Sequence, residues 1–452
     1  MRAAILASLL LATAVQADEI DDFLQREMAR NHIPGAAVAV VKDGKLVKLA
    51  AYGMADLENN VPASAQSAFQ IASSTKLLSS TLLMQLAGEG KIDLDAPVQR
   101  YVPEAPESWR AITVRQLAAH ASGMPPGPPD ADIPDAAAAV KAAIAKPLAK
   151  APGEVAAYGS DDFSVLTYIM EKTTGKTLPE LIAERITRPL GMSGTRFDHV
   201  AIGKDRIVVS SDIVPNRVST YQWKNGAQQS YRFLYPYYTI SAGGMFSSAQ
   251  DLGAFLLGIS NNTLLPQPLQ EKMWTPYQLN SGKPASFALG WTVSTYRGER
   301  QVGHSGGPAL ADVVWYPGKK LGIVVLTNQR RMSPVLAHGV ANFYLPAPAF
   351  LKDSGIQDSQ PERTAALKPV LLALASGKAD STQFSDPAMA GELNEWYPYQ
   401  LGAMPPLSHL VLLSETGGKR VYRAVHGGTQ SVRWTVAYAP DGKISDLELA
   451  DE

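Results

Sequence analysis

Four consecutive residues, Ser73-Ser74-Thr75-Lys76, carry the sharpest chemical pattern in the sequence. A serine and a lysine three positions apart on a helix project from the same face, so the amine can reach the hydroxyl. A serine hydroxyl becomes a good nucleophile only when a base takes its proton, and a neutral amine can do so. The pattern therefore indicates nucleophilic catalysis by Ser73, activated by Lys76.

Such a mechanism sets a requirement on the lysine. Its ordinary pKa of ~10.4 must fall by about three units, which corresponds to ~4 kcal/mol of differential interaction. Burial and a neighbouring positive group can lower it, and the N–H groups at the start of a helix can hold an oxyanion. Ser-x-x-Lys also occurs often by chance, and the alternative interpretation is a helix-capping serine beside a solvated lysine.

The elements that must position these residues follow from the hydrophobic pattern. Apolar residues recur at helical spacing over Ser73–Ala87, after a helix predicted at Ile20–Arg30 and a hairpin joined by Asp43-Gly44. Further helices are predicted at Thr113–His120, Pro134–Ala145, Asp161–Thr173, Leu178–Arg185 and Val335–Phe343. Strands are predicted at Gly35–Val41, Lys45–Tyr52, Ala288–Tyr296, Ala311–Tyr316 and Leu321–Thr327. This order predicts one sheet built from both ends of a domain, with a helical insert between them.

Several segments of the chain resemble a known superfamily. Ile71–Lys76 resembles the nucleophile motif of the serine β-lactamases and penicillin-binding proteins, particularly their class C-like branch. Other segments resemble that branch in the same order: Ile112–Gly123, Pro152-Gly153, Tyr158-Gly159-Ser160, Pro189–Met192, Ser241–Met245 and His304-Ser305-Gly306. The resemblance extends from about Ile20 to Phe343. It implies an α/β fold in which an antiparallel sheet is flanked by helices and carries a helical subdomain.

The resemblance also implies roles for individual residues. Ser73 would be the acylated nucleophile, and Lys76 with Tyr158 would transfer the proton. The N–H groups of Ser73 and Gly307 would form the oxyanion hole, beside Gly306 of the third motif. A phenol next to an ammonium can have its anion stabilised, so either Lys76 or Tyr158 can be the base. Outside this resemblance, Tyr158 would be interpreted as an aromatic residue packed at a helix start.

Two departures from the family pattern bear on the substrate. Ser160 replaces an asparagine, so an amide that could bind a substrate carbonyl becomes a hydroxyl. His304 replaces a lysine, and an unperturbed imidazole is only roughly a quarter protonated at pH 7. Both changes favour an esterase or a D-amino-acid peptidase or amidase over an efficient β-lactamase. An aromatic group could line an acyl pocket or pack beneath a loop: Tyr221, Trp223, Tyr231, Phe233, Tyr235, Tyr237 and Tyr238.

Other functions remain open alternatives. A class C-like β-lactamase, a D-Ala-D-Ala carboxypeptidase, or a sensor that is acylated without turnover would share this fold. Gly303–Gly307 also fits Gly-x-Ser-x-Gly, the nucleophile elbow of α/β-hydrolases, with Ser305 as nucleophile. That elbow requires a helix directly after the serine, whereas Pro308 and then Val313–Tyr316 predict a turn and a strand.

Composition excludes several classes of chemistry. The 452 residues carry 41 Lys+Arg against 42 Asp+Glu and contain no cysteine, so disulfides and thiol nucleophiles are excluded. A net charge of -1 without basic runs argues against nucleic acid as a partner. The seven histidines lack metal-binding spacing, so we expect no metal and no other cofactor. The expected partner is a small ester, amide or peptide substrate.

The chain is expected to be exported and to divide into two domains. Arg2, an apolar stretch over Ala3–Ala14 and small residues ending at Ala17 predict a cleaved signal peptide over residues 1–17. The mature protein would be periplasmic or secreted, with no stable membrane insertion. The predicted hydrolase domain covers residues 18–345. A linker follows at 346–362, and residues 363–452 are predicted to form a small C-terminal α+β domain.

Overall fold

The computed structural model describes residues 19–125, 133–198, 201–202, 208–331, 335–346, 353–401, 404–427 and 430–451. The predicted signal peptide, residues 1–17, lies outside these ranges, as do residues 347–352 of the predicted linker. Within the described ranges, no helix combines the length and the apolar character needed to cross a bilayer.

Twelve α-helices are found in the described part of the chain. The first, α1, covers residues 19–30. The others are α2 (Thr75–Gly88), α3 (Val114–Ala118), α4 (Ala136–Ile144), α5 (Asp161–Thr174), α6 (Leu178–Ile182), α7 (Ile240–Gly243), α8 (Ala249–Ser260), α9 (Gln267–Met273), α10 (Leu336–Ala341), α11 (Pro361–Ala375) and α12 (Pro387–Leu401).

The strands of the first half are β1 (Gly35–Lys42), β2 (Lys45–Asp56), β3 (Val61–Pro62), β4 (Phe69–Gln70), β5 (Arg196–Phe197), β6 (Ala201–Ile202), β7 (Val208–Ser210), β8 (Thr220–Lys224) and β9 (Ala227–Tyr231). Those of the second half are β10 (Met245–Ser247), β11 (Thr292–Tyr296), β12 (Glu299–Gly306), β13 (Ala309–Tyr316), β14 (Leu321–Arg330), β15 (Leu407–Thr416), β16 (Lys419–His426), β17 (Gln430–Tyr438) and β18 (Ile444–Asp451).

The main sheet joins distant parts of the sequence. Its strand order is β11-β12-β13-β14-β1-β2-β3, and β1 pairs antiparallel with β14, which places Val38 opposite Val325. The prediction of one sheet built from both ends of a domain is therefore confirmed. Residues of β1 and β14 are buried along almost their whole length, because α8 packs against both strands.

Local sequence signals explain where several helices begin. Thr113 and Gln116 form a capping box at α3, in which each side chain binds the backbone N–H of the other residue. Ser248 caps α8, and Asp135 caps α4. Helices α7, α8, α9 and α12 were not among the predicted elements, and β11 is shorter than the predicted strand Ala288–Tyr296.

The chain folds into two compact units. One consists of His32–Ser294 and Arg300–Arg330, and its apolar core includes Leu77, Trp109 and Trp291. The other comprises the described residues of Met1–Asn31, Thr295–Glu299 and Arg331–Glu452. It contains α11, α12 and the separate sheet β15-β16-β17-β18, which pack around a core that includes Phe384, Tyr422 and Trp434.

Candidate active site

Ser73 lies in a short 3₁₀ turn, Ala72–Ser74, that leads directly into α2. Ala72 has a φ of 46°, a left-handed conformation that costs a residue with a Cβ roughly 1–2 kcal/mol. The neighbouring Ser74 hydroxyl lies within hydrogen-bonding distance of two carbonyls of the main sheet, His304 O at 3.0 Å and Ala311 O at 2.7 Å. The strained turn is therefore tied to the ends of β12 and β13.

Gly306 lies against the same turn. A Cβ at this position would sit 2.0 Å from Ile71 O and 3.2 Å from Ser73 N. Only a glycine lets the end of β12 approach the backbone of the Ala72–Ser74 turn this closely. The third motif of the sequence thus lies beside the first, as the resemblance implies.

Lys76 is buried on the first turn of α2, with 2% of its surface exposed. Its Nζ donates hydrogen bonds to Tyr158 Oη at 2.7 Å and to Ala242 O at 2.8 Å. Burial lowers the pKa of Lys76 to about 7, although the Asp162 carboxylate opposes that fall. At neutral pH the amine is thus available in its unprotonated form, as a base requires.

Tyr158 comes just before α5 and is 47% exposed. Loss of solvent around its hydroxyl raises the pKa of Tyr158 to about 12, and a hydrogen bond with the Ser73 side chain opposes the rise. The ring stacks on Phe287 with centroids 5.6 Å apart. Because one phenol contacts both Lys76 and Ser73, a proton can pass between them through a single hydroxyl.

A buried histidine and carboxylate lie behind this pair. His120 and Asp162 are 1% and 4% exposed, and His120 Nδ1 lies 3.1 Å from Asp162 Oδ2. The His120 ring also contacts the Tyr158 ring, with centroids 4.7 Å apart. Sequence reasoning did not select either residue, although Asp162 follows Tyr158 by four positions and His120 belongs to the Ile112–Gly123 segment.

His304 is buried in β12 and is uncharged at neutral pH. Its Nδ1 lies 2.7 Å from Ser305 O and donates to it. Its Nε2 has no hydrogen-bond partner among the described residues. Burial and the Lys76 charge lower the pKa of His304 from its ordinary value of 6.5 to about 3. The site therefore presents a neutral imidazole at the position where the family pattern has a lysine.

The remaining predicted site residues have different local environments. Ser160 is the half-buried N-cap of α5, and its hydroxyl makes no capping hydrogen bond. Gly307 O accepts a hydrogen bond from Tyr235 Oη at 3.0 Å, which brings one of the seven aromatic residues to the site. Two others do not line it: Tyr221 is buried and binds Leu57 N–H, and Trp223 stacks on His32.

The structure gives Ser305 a different environment from that of a nucleophile elbow. Its hydroxyl donates to Asp312 Oδ1 at 2.6 Å, and the chain continues from β12 through a turn into β13. No helix follows Ser305, so the geometry that this motif requires is not present. In the described ranges, no group of three or more His, Asp or Glu side chains could hold a metal ion.

Comparison with known proteins identifies a family and several relatives of this chain. The family model described as Beta-lactamase matches residues 20–341. Protein flp of Staphylococcus aureus (strain MW2) is 26% identical over 333 residues, which is 69% of this chain but only 62% of that protein. N-acetylmuramyl-L-alanine amidase of Bacillus subtilis (strain 168) is 25% identical over 370 residues, covering 70% of this chain and 82% of the amidase.

Solved structures have the same fold at lower identity. The octameric penicillin-binding protein homologue from Pyrococcus abyssi superposes with a TM-score of 0.62 at 21% identity, covering 96% of this chain and 98% of its own. A D-stereospecific amidohydrolase from Streptomyces sp. gives a TM-score of 0.58 at 22% identity, covering 72% of this chain and 98% of its own. Since the family model also matches more than half of the sequence, the chain belongs to the Beta-lactamase family.

Proposed function

We propose that this protein is an exported serine hydrolase that cleaves uncharged esters or amides through an acyl-enzyme on Ser73. The observation that carries the proposal is the 2.7 Å contact between Lys76 Nζ and Tyr158 Oη, at a lysine that is almost completely buried. The pKa of about 7 at Lys76 and of about 12 at Tyr158 favour a neutral amine beside a protonated phenol. Lys76 is therefore the base, and Tyr158 relays the proton.

The reaction follows from these positions. Ser73 Oγ attacks the carbonyl carbon of the substrate while its proton passes through Tyr158 to Lys76. The oxyanion is held by the N–H groups of Ser73 and Gly307. The bond to the leaving alcohol or amine then breaks, and the leaving group takes the proton back from the Lys76–Tyr158 pair. Water attacks the acyl carbon by the same proton route, which releases the acid and restores the Ser73 hydroxyl.

The electrostatics of the site support a neutral substrate. His304 is neutral and Lys76 loses its proton near neutral pH, so neither offers a permanent cation for a substrate carboxylate. Class C-like β-lactamase and D-Ala-D-Ala carboxypeptidase activity would both benefit from such a cation. The name of the Bacillus subtilis relative, an amidase, supports including amides beside esters.

The experiment measures two serine variants in two assays: hydrolysis of a p-nitrophenyl ester and covalent labelling by a dialkyl fluorophosphonate. Ser73→Ala should lower kcat/KM by about 1,000-fold or more and abolish covalent labelling, because the nucleophile is gone. Ser305→Ala is the matched control and should keep labelling at Ser73, read by peptide mass mapping. Labelling of Ser305, or full activity in Ser73→Ala, would refute the proposal.

Turnover and export need separate measurements. A burst of p-nitrophenol followed by steady hydrolysis indicates an enzyme, whereas a burst of one equivalent alone would indicate a sensor. Export rests on the pattern of residues 1–17. In a bacterial host with a secretion pathway, the protein outside the cytoplasm should begin at Asp18 by N-terminal sequencing. An uncut chain in the cytoplasm would contradict export.

A further inference from the structure

His120 occupies a backbone position that does not suit its residue type. It follows α3 with a φ of 57°, and its N–H donates to Leu117 O at 3.1 Å while Ala121 N–H donates to Gln116 O at 2.8 Å. This is the hydrogen-bond pattern of a helix C-terminus at which glycine or asparagine is favoured. A histidine there carries a conformational cost, which indicates that its side chain has a use.

The side chain and the backbone of His120 both contact the segment that carries Tyr158. His120 O accepts the N–H of Ala157 at 2.8 Å. The imidazole packs directly on the Tyr158 ring. The residue before Tyr158 and the Tyr158 ring are therefore both in contact with His120.

Asp162 connects this arrangement to Lys76. Because a carboxylate only accepts, the 3.1 Å contact places the proton on His120 Nδ1, which donates to Asp162 Oδ2. Asp162 Oδ1 has no hydrogen-bond partner among the described residues, so that oxygen's charge is not neutralised locally. The positive group on which this carboxylate acts is Lys76.

We propose that His120 and Asp162 are a positioning pair, in which His120 fixes the segment carrying Tyr158 and Asp162 supplies the buried counter-charge of Lys76. This inference rests on the proposed function, since it assigns how the base of that reaction is held and tuned. Neither residue needs to touch the substrate. The pair sets the place of the phenol and the pH at which the amine loses its proton.

The groups that surround Lys76 determine the sign of the expected effect. Tyr158 Oη lies 2.7 Å from its Nζ, the Asp162 carboxylate acts on its charge, and that charge acts in turn on His120 and His304. Asp161 lies beside Asp162. Asp162 is the anion that favours the ammonium form. Its removal leaves desolvation unopposed, so the pKa of Lys76 falls further below its ordinary value.

The test is the pH dependence of kcat/KM for a p-nitrophenyl ester and of the labelling rate with a dialkyl fluorophosphonate. In Asp162→Asn the acidic limb of both profiles should move down by about one pH unit. Asp251→Asn is the matched control, because Asp251 is also a buried carboxylate in the first turn of a helix and binds Thr195 and Gly194. It should leave the acidic limb where the parent has it, because Asp251 is not among the groups that act on Lys76.

A second variant tests the other half of the pair. His120→Asn suits the left-handed backbone but loses the ring that contacts Tyr158. We expect kcat to fall roughly tenfold while KM stays within about twofold, since Tyr158, which relays the proton, is displaced and the binding surface remains. If Asp162→Asn does not fold, a lower kcat with an unchanged KM in His120→Asn still tests the proposed positioning role.

Two results would overturn the inference. One is an acidic limb in Asp162→Asn that stays within about 0.2 pH unit of the parent's, in a folded and active variant. The other is an unchanged kcat in His120→Asn. Failure of the proposed function would be seen differently, as labelling of a residue other than Ser73 in the unmodified protein.

Discussion

Lys76 and Tyr158 are 82 positions apart in the sequence, yet Lys76 Nζ lies 2.7 Å from Tyr158 Oη. The contact forms because α2 carries the lysine into the core while the segment before α5 brings the phenol to the same place. The amine also donates to Ala242 O, so its position is fixed from two sides. Its protonation should therefore govern activity.

Activity should rise as Lys76 loses its proton. Burial brings the pKa of Lys76 to about 7, so kcat/KM should increase through that pH and then level off. Lys76→Arg should lower kcat/KM by about 1,000-fold at every pH, because a guanidinium stays protonated and cannot act as a base. Ester hydrolysis between pH 5 and 9 provides the measurement.

The control for this profile is Lys172→Arg, at an exposed lysine on α5 that contacts Tyr168. That variant should reproduce the parent profile. Activity of Lys76→Arg near the parent level would show that the base is another group.

Gly306→Ala should damage both stability and activity. The new Cβ would lie 2.0 Å from Ile71 O, an approach that backbone atoms cannot accommodate without a shift of the turn that carries Ser73. We expect unfolding free energy to fall by about 1–3 kcal/mol and kcat to fall at least tenfold. Thermal unfolding and ester hydrolysis measure the two effects.

Gly391→Ala is the comparison for that variant. Gly391 lies inside α12 and has open space where a Cβ would be, so alanine should raise stability by roughly 0.5–1 kcal/mol. Its activity should not change. Unchanged activity and higher stability in Gly306→Ala would contradict the close approach of β12 to the turn that carries Ser73.

Asp161→Asn should stabilise the protein at neutral pH. Burial raises the pKa of Asp161 from its ordinary value of 3.8 to about 6, so folding favours its protonated form. Its contribution to stability is present below pH ~4, and is lost as the pH rises towards about 6. Removing the charge should add roughly 1–2 kcal/mol at pH 7.5 after allowance for solvent screening.

The check is the melting temperature of Asp161→Asn at two pH values. The gain over the parent should be present at pH 7.5 and absent at pH 4. Asp95→Asn should behave oppositely, because its bond with Arg115 lowers the pKa of Asp95 and its charge stabilises the fold at neutral pH. A gain of equal size at both pH values in Asp161→Asn would rule out titration as the cause.

His304→Lys should shift substrate preference towards anions. A lysine at this position would offer a positive charge to a substrate carboxylate, where the neutral imidazole offers none. The ratio of kcat/KM for a cephalosporin to that for a neutral ester should rise about tenfold. His304→Gln, which keeps a hydrogen-bonding side chain without charge, should leave the ratio near that of the parent.

Local sequence patterns alone predicted part of the fold and part of the candidate site. The spacing of Ser73 and Lys76 and the Asp43-Gly44 turn between β1 and β2 are both local features. Periodicity and turn chemistry act within a few residues, so they can be read along the chain. Helices α8 and α12 were not predicted, although Ser248 at the start of α8 is itself a local capping signal.

Only the tertiary structure decided the electrostatics of the site. Whether Lys76 is buried, whether His304 is charged, and which carboxylate faces the amine depend on atoms contributed by β12, α5, α7 and the turn after α3. A pKa is set by desolvation and by charges within a few ångströms, and the sequence gives no distances. The sequence therefore determines which residue types are available for catalysis. Packing in the tertiary structure determines the protonation states that catalysis requires.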